Sequence, residues 1–283
     1  MNASVDRKPN LLLKLLGIAA LAGLGVGFCA RVLAMTLGWW WQQRHRNAGI
    51  VDVLWSAGVG TGAILMAVLG SGSVPLRLTV AVLGGVWGLR LAWHLWHRVR
   101  HEPEDGRYAH LRAHWQGHAG KFFGFFQLQA LLVPLFALPF AAVAWNTQVR
   151  PVWLVLGIAV WLASVAGEAV ADRQLARHRA NPAMRGRTCR SGLWRYSRHP
   201  NYFFEWTHWF AYLALAVGSP WAALAWAGPV VMYVFLRWIS GIPFTEAQAL
   251  RTRGDDYREY QRTTSLLIPW FPRNPSPSHR TVP

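Results

Sequence analysis

The chain has 283 residues, of which 53% are hydrophobic and only 14% are charged, and it contains 18 Trp. This composition excludes an ordinary water-soluble domain and favours a protein that lies in a membrane. The formal net charge of +17 comes mostly from arginines between the apolar runs, so nucleic acid is not an expected partner. Cys29 and Cys189 form neither a disulfide framework nor a metal-ligand set.

Apolar runs near or above the ~20 residues needed to cross a bilayer follow one another along the chain. Because backbone polar groups inside lipid must pair within their own segment, we predict a helix for each run. The first run is too long for a signal peptide, so we expect it to be retained. The runs cover residues 11–37, 50–69, 74–96, 122–145, 152–170, 202–217 and 221–239. We therefore predict an all-α, polytopic membrane protein with about seven transmembrane helices.

Most of the Lys and Arg residues lie in four segments that follow the odd-numbered runs. These segments are residues 42–47, 98–121, 171–198 and the tail from 251 onward. The positive-inside rule places all four, and therefore the C-terminus, in the cytoplasm. We expect a multi-pass protein of a bacterial inner membrane, with some of the arginines contacting anionic lipid.

Ionisable residues within apolar runs are candidates for function, since placing them in lipid is costly. Asp52 opens the second predicted helix, where it either serves a site, stabilises the helix N-terminus or pairs with Arg90. Glu168 and Asp172 are four residues apart, so both carboxylates lie on one face of the fifth helix. They could accept hydrogen bonds from a ribose or amide group, or pair with nearby arginines.

The most informative segment runs from Gly192 to Trp209 and joins a basic loop to an apolar run. Arg198 and His199 come first, Pro200 stands where a helix would begin, and Glu205 follows about one turn later. A helix N-terminus beside arginines binds anions. The arginines of residues 171–198 exceed what topology needs, and they favour a phosphorylated ligand.

Two other patterns favour a structural interpretation. Histidines at positions 94, 97 and 101 share one helix face, as in a metal site, but no two histidines are adjacent as membrane di-iron enzymes require. We therefore expect no metal. The glycines of residues 58–62 lie inside a predicted span with no strand before them, so they predict close helix packing rather than a dinucleotide-binding loop.

At residues 192–206, Gly-Leu-Trp-Arg-Tyr-Ser-Arg-His-Pro-Asn-Tyr-Phe-Phe-Glu-Trp, the chain resembles the C-terminal signature of the steroid 5-alpha-reductase superfamily. It is closest to the bacterial branch catalogued as a membrane domain of unknown function (DUF1295-like). Further segments resembling that branch are residues 46–55, 88–91, 104–108, 167–174 and 256–265.

The resemblance implies a seven-helix enzyme that uses NADPH to reduce a carbon–carbon double bond conjugated to a carbonyl. The matching positions imply that the cofactor contacts Asp172, Arg179, Arg190, Tyr196, Asn201 and Glu205, and that Tyr257 closes over it. Our interpretation of the residues themselves adds Glu168, Arg198, His199 and Tyr202. The implied substrate is a lipophilic, steroid- or isoprenoid-like molecule from the bilayer, and no obligate protein partner is expected.

The chain departs from the steroid enzymes where their acids polarise the ketone. Asp52 is the nearest carboxyl for the first acid, and Leu95 stands where those enzymes have a Tyr. His94 or Tyr108 could replace that Tyr, so we predict Asp52, His94 and Tyr108 as catalytic residues. We expect one integral membrane domain over 1–283, with 1–121 lining the substrate side, 122–270 binding cofactor and 271–283 forming a disordered tail.

Two alternatives use other chemistry. Membrane S-adenosylmethionine-dependent methyltransferases of the isoprenylcysteine and phospholipid types share the element of residues 198–202 followed by a Glu, here Glu246. Asn201, Glu205 and the many arginines disfavour that interpretation, because S-adenosylmethionine carries no phosphate. The other alternative is a haem-handling or lipid-binding protein with His94, His97 or His208 as ligands.

Overall fold

The computed structural model describes residues 11–273, apart from the side chains of residues 11–24 and 26. These residues form helices and no strand, so the predicted all-α class is confirmed. The α-helices are α1 (Leu11–His45), α2 (Ile50–Leu69), α3 (Val74–His101), α4 (Gly106–His114), α5 (Ala119–Ala144), α6 (Pro151–Ala180), α7 (Pro200–His208), α8 (Phe210–Leu215), α9 (Ala227–Val234), α10 (Ile242–Arg253) and α11 (Asp255–Thr263).

Five helical stretches in the described part of the chain are long and apolar enough to cross a membrane. They are α2, α3, α5, α6 and the stretch Ala222–Arg253. An integral, multi-pass membrane protein is thereby supported. The predicted run at 11–37 lies within α1, partly outside the residues whose side chains are described. The count of seven spans and the cytoplasmic C-terminus stay predictions.

The predicted run at 202–217 does not form one regular helix. It is divided at Trp209, whose N–H bonds to the Trp206 carbonyl at 3.2 Å, while Tyr212 N bonds to the Trp209 carbonyl at 3.3 Å. These bonds span three residues rather than four, so the backbone tightens locally to a 3₁₀ turn. As a result α7 and α8 are each shorter than a spanning helix.

The chain divides into two compact units. Among the described residues, the first comprises 11–71 and 77–140, and the second comprises 72–76 and 141–273. The turn after α2 joins the second unit because Gly72 N and Ser73 N bond to the carbonyls of Ala144 and Asn146, at 2.9 Å each. Most of α5 belongs to the first unit, and the functional division at residue 121 stays a prediction.

In the first unit, α2 and α3 approach each other most closely at Gly60 and Gly88. A Cβ added to Gly88 would lie 2.6 Å from Gly60 Cα and 2.8 Å from the Ser56 carbonyl oxygen. The two backbones therefore touch, as the glycine pattern of residues 58–62 predicted. This contact aligns the start of α2, which carries Asp52, with the C-terminal half of α3.

In the second unit, α6 packs along α7 and α8. A Cβ on Gly167 would lie 2.4 Å from the Phe204 ring. The segment between α6 and α7 returns to α6, where Trp194 Nε1 donates to the Ala171 carbonyl at 2.9 Å. From the other side, the Tyr260 hydroxyl of α11 donates to the Trp194 carbonyl and, at 3.1 Å, to that of Ser197. The signature segment is thus held between α6 and α11.

Candidate functional site

Asp52 and Tyr108 lie together in the first unit, at the start of α2 and within α4. The Tyr108 hydroxyl donates a 2.6 Å hydrogen bond to Asp52 Oδ1, and Arg107 Nη2 donates to Oδ2 at 3.1 Å. Tyr108 is buried, with 6% of its surface exposed. The structure therefore joins two of the three predicted catalytic residues, and the ion-pair partner of Asp52 is Arg107 rather than Arg90.

Asp105 holds Arg107 in this position. Its carboxylate caps α4 by accepting from Arg107 N at 2.9 Å, and it also accepts from Arg107 Nε at 3.1 Å. Arg98 of α3 donates to the other carboxylate oxygen at 3.3 Å. A capping aspartate is a preferred helix start, so the Asp105-Gly106-Arg107 sequence begins α4 and fixes the guanidinium between two carboxylates.

The electrostatics of this group set its protonation. Burial raises the pKa of Asp105, but the charge and hydrogen bonds of Arg107 outweigh burial and leave that pKa below its ordinary value. Burial also raises the pKa of the Tyr108 phenol, and the negative charge of Asp52 raises it further. At neutral pH Asp105 is therefore ionised. Tyr108 stays protonated, so its hydroxyl can donate a hydrogen bond to Asp52.

A small open cleft, with a volume of about 20 Å³, adjoins these residues. Asp52, Asp105 and Arg107 lie on its wall with Leu95. Tyr108 lies behind Asp52 and is not part of the wall. His94 is exposed on α3 and does not line the cleft, so the structure does not bring it to the predicted catalytic group.

A second ion pair supports the loop before α2. Arg112 Nη2 donates to Glu104 Oε1 at 2.7 Å and to Gln42 Oε1 at 3.0 Å, and Glu104 Oε1 also accepts from Ala48 N at 2.7 Å. Neither Arg107 nor Arg112 was among the site residues predicted from the sequence. Arg107 could have been found from its position beside Tyr108, whereas no spacing rule links Gln42 to Arg112.

In the second unit, Arg198 and His199 converge on Glu246 of α10. Arg198 Nε donates to Glu246 Oε1 at 2.7 Å, and His199 Nε2 lies 3.3 Å from the same oxygen. Tyr257 donates to it from α11 at 3.2 Å, and Gln261 Nε2 donates to Oε2 at 2.9 Å. Arg198, His199 and Tyr257, all predicted cofactor residues, thus surround Glu246. From the sequence, Glu246 was a candidate only under the methyltransferase alternative.

Arg190 forms a second group with the acids of α11. Its Nη2 donates to Asp256 Oδ1 at 3.0 Å and to Glu259 Oε2 at 3.1 Å. Burial raises the pKa of Asp256, but the hydrogen bond from Thr188 N and the charge of Arg190 outweigh burial and lower that pKa below its ordinary value. Arg190 Nε and Thr188 Oγ1 are buried without a hydrogen-bond partner in the described part of the chain.

The first turn of α7 meets α6 through polar side chains. Asn201 Nδ2 donates to Asp172 Oδ1 at 3.1 Å. The rings of His199 and Tyr202 stack with centroids 5.4 Å apart and an interplanar angle of 8°. These contacts place four predicted cofactor residues around the start of α7, where helix amides have no acceptor within the helix.

The remaining predicted cofactor residues lie along the same elements. Glu168 and Glu205 are half-buried on α6 and α7, and Arg179 is exposed near the end of α6. The Tyr196 ring packs edge-on against Phe271 with a centroid distance of 6.0 Å.

The loop between α6 and α7 has the cationic donors that a phosphorylated nucleotide requires. Arg185, Arg187 and Arg195 are exposed, and their side chains make no hydrogen bond or ion pair within the described residues. Arg190 and Arg198, by contrast, are engaged with acids of α10 and α11. The exposed arginines therefore fit the phosphates of NADPH better than Arg190 and Arg198 do.

The signature loop also depends on a glycine. Gly192 has φ +61°, and a Cβ there would lie 2.4 Å from Gln174 Nε2. Since L side chains rarely adopt this conformation, only glycine lets the loop return to α6, where Leu193 N donates to Gln174 Oε1 at 2.8 Å. Over the described residues, no group of three or more His, Cys, Asp or Glu side chains is arranged to hold a metal ion.

Comparison with known proteins identifies the family. Residues 38–264 match the model of a family described as a protein of unknown function (DUF1295). No curated protein and no solved structure matches the chain. The matched range includes the cleft of the first unit and the signature segment of the second. The chain belongs to the DUF1295 family, a steroid 5-alpha-reductase-like membrane domain, as its sequence motifs indicated.

Proposed function

We propose that this protein is a membrane reductase that uses NADPH to saturate a carbon–carbon double bond conjugated to a carbonyl. The proposed substrate is hydrophobic, of steroid or isoprenoid type. The observation that carries the proposal is the Asp52–Arg107–Tyr108 group, which presents a fixed guanidinium and a carboxylate on the wall of an open cleft. Membership of a steroid 5-alpha-reductase-like family supports it.

Arg107 is the residue that would contact the carbonyl oxygen. Its guanidinium is a fixed cation, and a hydrogen bond from it strengthens as negative charge develops on the oxygen in the enolate-like transition state. Asp52 and Asp105 keep the guanidinium in place from two sides. Tyr108 acts through Asp52, since its hydroxyl fixes that carboxylate from behind. The open cleft admits water, which supplies the proton for the α-carbon.

The cofactor would be held by the second unit. Arg185, Arg187 and Arg195 would bind its phosphates, and Asp172 with Asn201 would accept and donate hydrogen bonds to its sugar or amide groups. When bound, NADPH would supply a hydride to the β-carbon of the substrate. The N-terminal amides and dipole of α7 favour an anion at the same place.

Thermal unfolding of the purified protein tests the cofactor. NADPH should raise the unfolding temperature more than NADH or S-adenosylmethionine does, because a ligand that binds only the folded state stabilises it. Asn201→Ala should weaken the stabilisation by NADPH without preventing membrane insertion. His114→Ala, an exposed change on α4, is the control and should leave that stabilisation unchanged. Incubation with lipid extracts should yield products about two mass units heavier, because one H₂ is added to the double bond. If NADPH does not raise the unfolding temperature of the wild type, the proposal is contradicted.

One observation favours the methyltransferase as a second candidate. Arg198 and His199 both contact Glu246, so the elements that this alternative requires are adjacent in space. Stabilisation by S-adenosylmethionine alone, with no response to NADPH, would assign the protein to that class.

A further inference from the structure

The segment that follows α11, residues 264–273, is fixed to the signature loop by its backbone. Arg198 N donates to the Ser265 carbonyl at 2.8 Å, and Trp270 N donates to the Tyr196 carbonyl at 2.9 Å. The Ser197 hydroxyl donates to the Leu267 carbonyl at 2.8 Å. We call residues 264–273 the C-terminal strap. Its path is held at several points, so its side chains have defined directions.

The strap directs large apolar side chains away from the protein. Leu267 is buried, with 5% of its surface exposed, whereas Ile268 is 57%, Trp270 70% and Phe271 76% exposed. Three large apolar residues exposed within four positions on a fixed backbone form a patch rather than scattered surface residues. Trp is also typical of the membrane–water interface, where its ring is apolar and its N–H stays hydrated.

An open cleft with a volume of about 310 Å³ lies beside this patch. Its lining includes Arg262, Arg273, Trp270 and Phe271. It is basic as well as aromatic, and it lies entirely within the second unit. A ligand filling it would contact the two arginines as well as the two aromatic residues.

Neither arginine of the cleft is neutralised by the described residues. All the acids of α11 are already engaged, since Asp255 pairs with Arg258 at 2.6 Å and both Asp256 and Glu259 pair with Arg190. The side chains of Arg262 and Arg273 make no hydrogen bond or ion pair within residues 27–273. Residues 274–283 contain no Asp or Glu. The cleft thus has unneutralised positive charge.

We propose that this cleft binds the head group of an anionic phospholipid. The lipid phosphate would accept hydrogen bonds from Arg262 and Arg273, and the acyl chains would lie against Trp270 and Phe271. A soluble phosphate would neutralise the arginines but leave the apolar patch in water, whereas a lipid covers both. The position fits, because α11 and the strap follow directly after Ala222–Arg253, a helical stretch long and apolar enough to span a membrane. This inference does not depend on the proposed reductase activity.

Native mass spectrometry of the detergent-purified, full-length protein tests the site. Phosphatidylglycerol and phosphatidylcholine of the same chain length would be added at equal concentration, and the bound lipids counted. The wild type should retain phosphatidylglycerol preferentially. The single variants Arg262→Gln and Arg273→Gln should each reduce that preference by about fivefold. The matched control is Arg258→Gln on the same helix, whose guanidinium pairs with Asp255 and does not line the cleft. It should keep the wild-type preference.

The outcomes separate the possible ligands. An unchanged preference in both Arg262→Gln and Arg273→Gln places the lipid elsewhere and overturns the proposal. Displacement of phosphatidylglycerol by inorganic phosphate would assign the cleft to a soluble anion and would also overturn it. The double variant Trp270→Ser with Phe271→Ser should weaken the binding of both phosphatidylglycerol and phosphatidylcholine, since these rings would contact acyl chains. If the arginine variants do not fold, equal retention of the two lipids by the wild type still contradicts the proposal.

Discussion

Arg198 and Glu246 form a largely buried ion pair in the second unit, with 2.7 Å between Arg198 Nε and Glu246 Oε1 and side-chain exposures of 11% and 16%. The same guanidinium donates through Nη1 to the carbonyls of Gln261 and Thr264, at 2.7 Å and 3.2 Å. The contact therefore connects the signature loop to α10 and to the end of α11. A residue that the motif offered as a phosphate ligand serves here to join three segments of the chain.

Removing one member of this pair should destabilise the protein more than removing both. Glu246→Ala leaves Arg198 as a buried charge without its partner, which costs about 3–5 kcal/mol. The double change Arg198→Met with Glu246→Leu should cost less, because no lone charge remains. Thermal unfolding in detergent measures both, with Arg258→Ala as the exposed control. Equal unfolding temperatures for Glu246→Ala and the control would contradict the assignment.

Stability should fall as the pH drops below about 6.5, and His199 should contribute to that fall. Burial lowers the pKa of His199, hydrogen bonding and charge from Glu246 raise it in part, and Arg198 lowers it further. Between the lowered folded pKa and the ordinary value of about 6.5, the unfolded chain binds more protons than the folded one, so stability rises with pH in that window.

His199→Gln should therefore show a smaller difference in unfolding temperature between pH 7.5 and pH 5.5 (roughly one unit either side of the ordinary pKa) than the wild type. His114→Gln, an exposed change, is the control and should behave as the wild type. An identical pH response in His199→Gln would exclude His199 as the titrating group.

Arg107→Gln should lower the turnover of an enone substrate by about 100-fold, the scale expected when a transition-state hydrogen-bond donor is lost. Affinity for NADPH should not change, since Arg107 lies in the first unit and the predicted cofactor residues lie in the second. Tyr108→Phe should have a smaller effect, because it removes only the hydrogen bond behind Asp52. Arg100→Gln, exposed at the end of α3, provides the control. Loss of activity in Arg100→Gln to the same extent would indicate a general charge effect.

Gly88→Ala should destabilise the first unit, because the new Cβ would lie 2.6 Å from Gly60 Cα, on backbone that cannot move aside alone. The expected cost is about 1–3 kcal/mol, as for overpacking in a core. Gly124→Ala is the matched control on α5, where an added Cβ has nothing within 4 Å. Its unfolding temperature should be equal to or above that of the wild type, since Ala favours the helix. Equal behaviour of the two variants would contradict the close crossing of α2 and α3.

The helices were predictable because the signal is local. In lipid, a run of apolar residues can satisfy its backbone only as a helix, so composition over about 20 residues is sufficient. The runs that begin at Ile50, Val74 and Val152 correspond to α2, α3 and α6. The division near Trp209 was not predictable, since φ and ψ stay helical there and the change lies in which carbonyl each amide contacts. Likewise, the boundary near residue 140 depends on contacts made by the turn after α2.

The sequence by itself determined the membrane class, the helical fold, the family and the likeness of residues 192–206 to a reductase signature. It also identified Asp52 and Tyr108 as candidates. Only the tertiary structure decided that Arg107 links Asp52 to Asp105, that Arg198 and His199 meet Glu246, and that His94 stands apart from the cleft. Arg107 and Asp52 are 55 positions apart in the sequence, and Arg198 and Glu246 are 48 positions apart. Their geometry follows from how helices pack, which no local pattern of hydropathy or charge encodes.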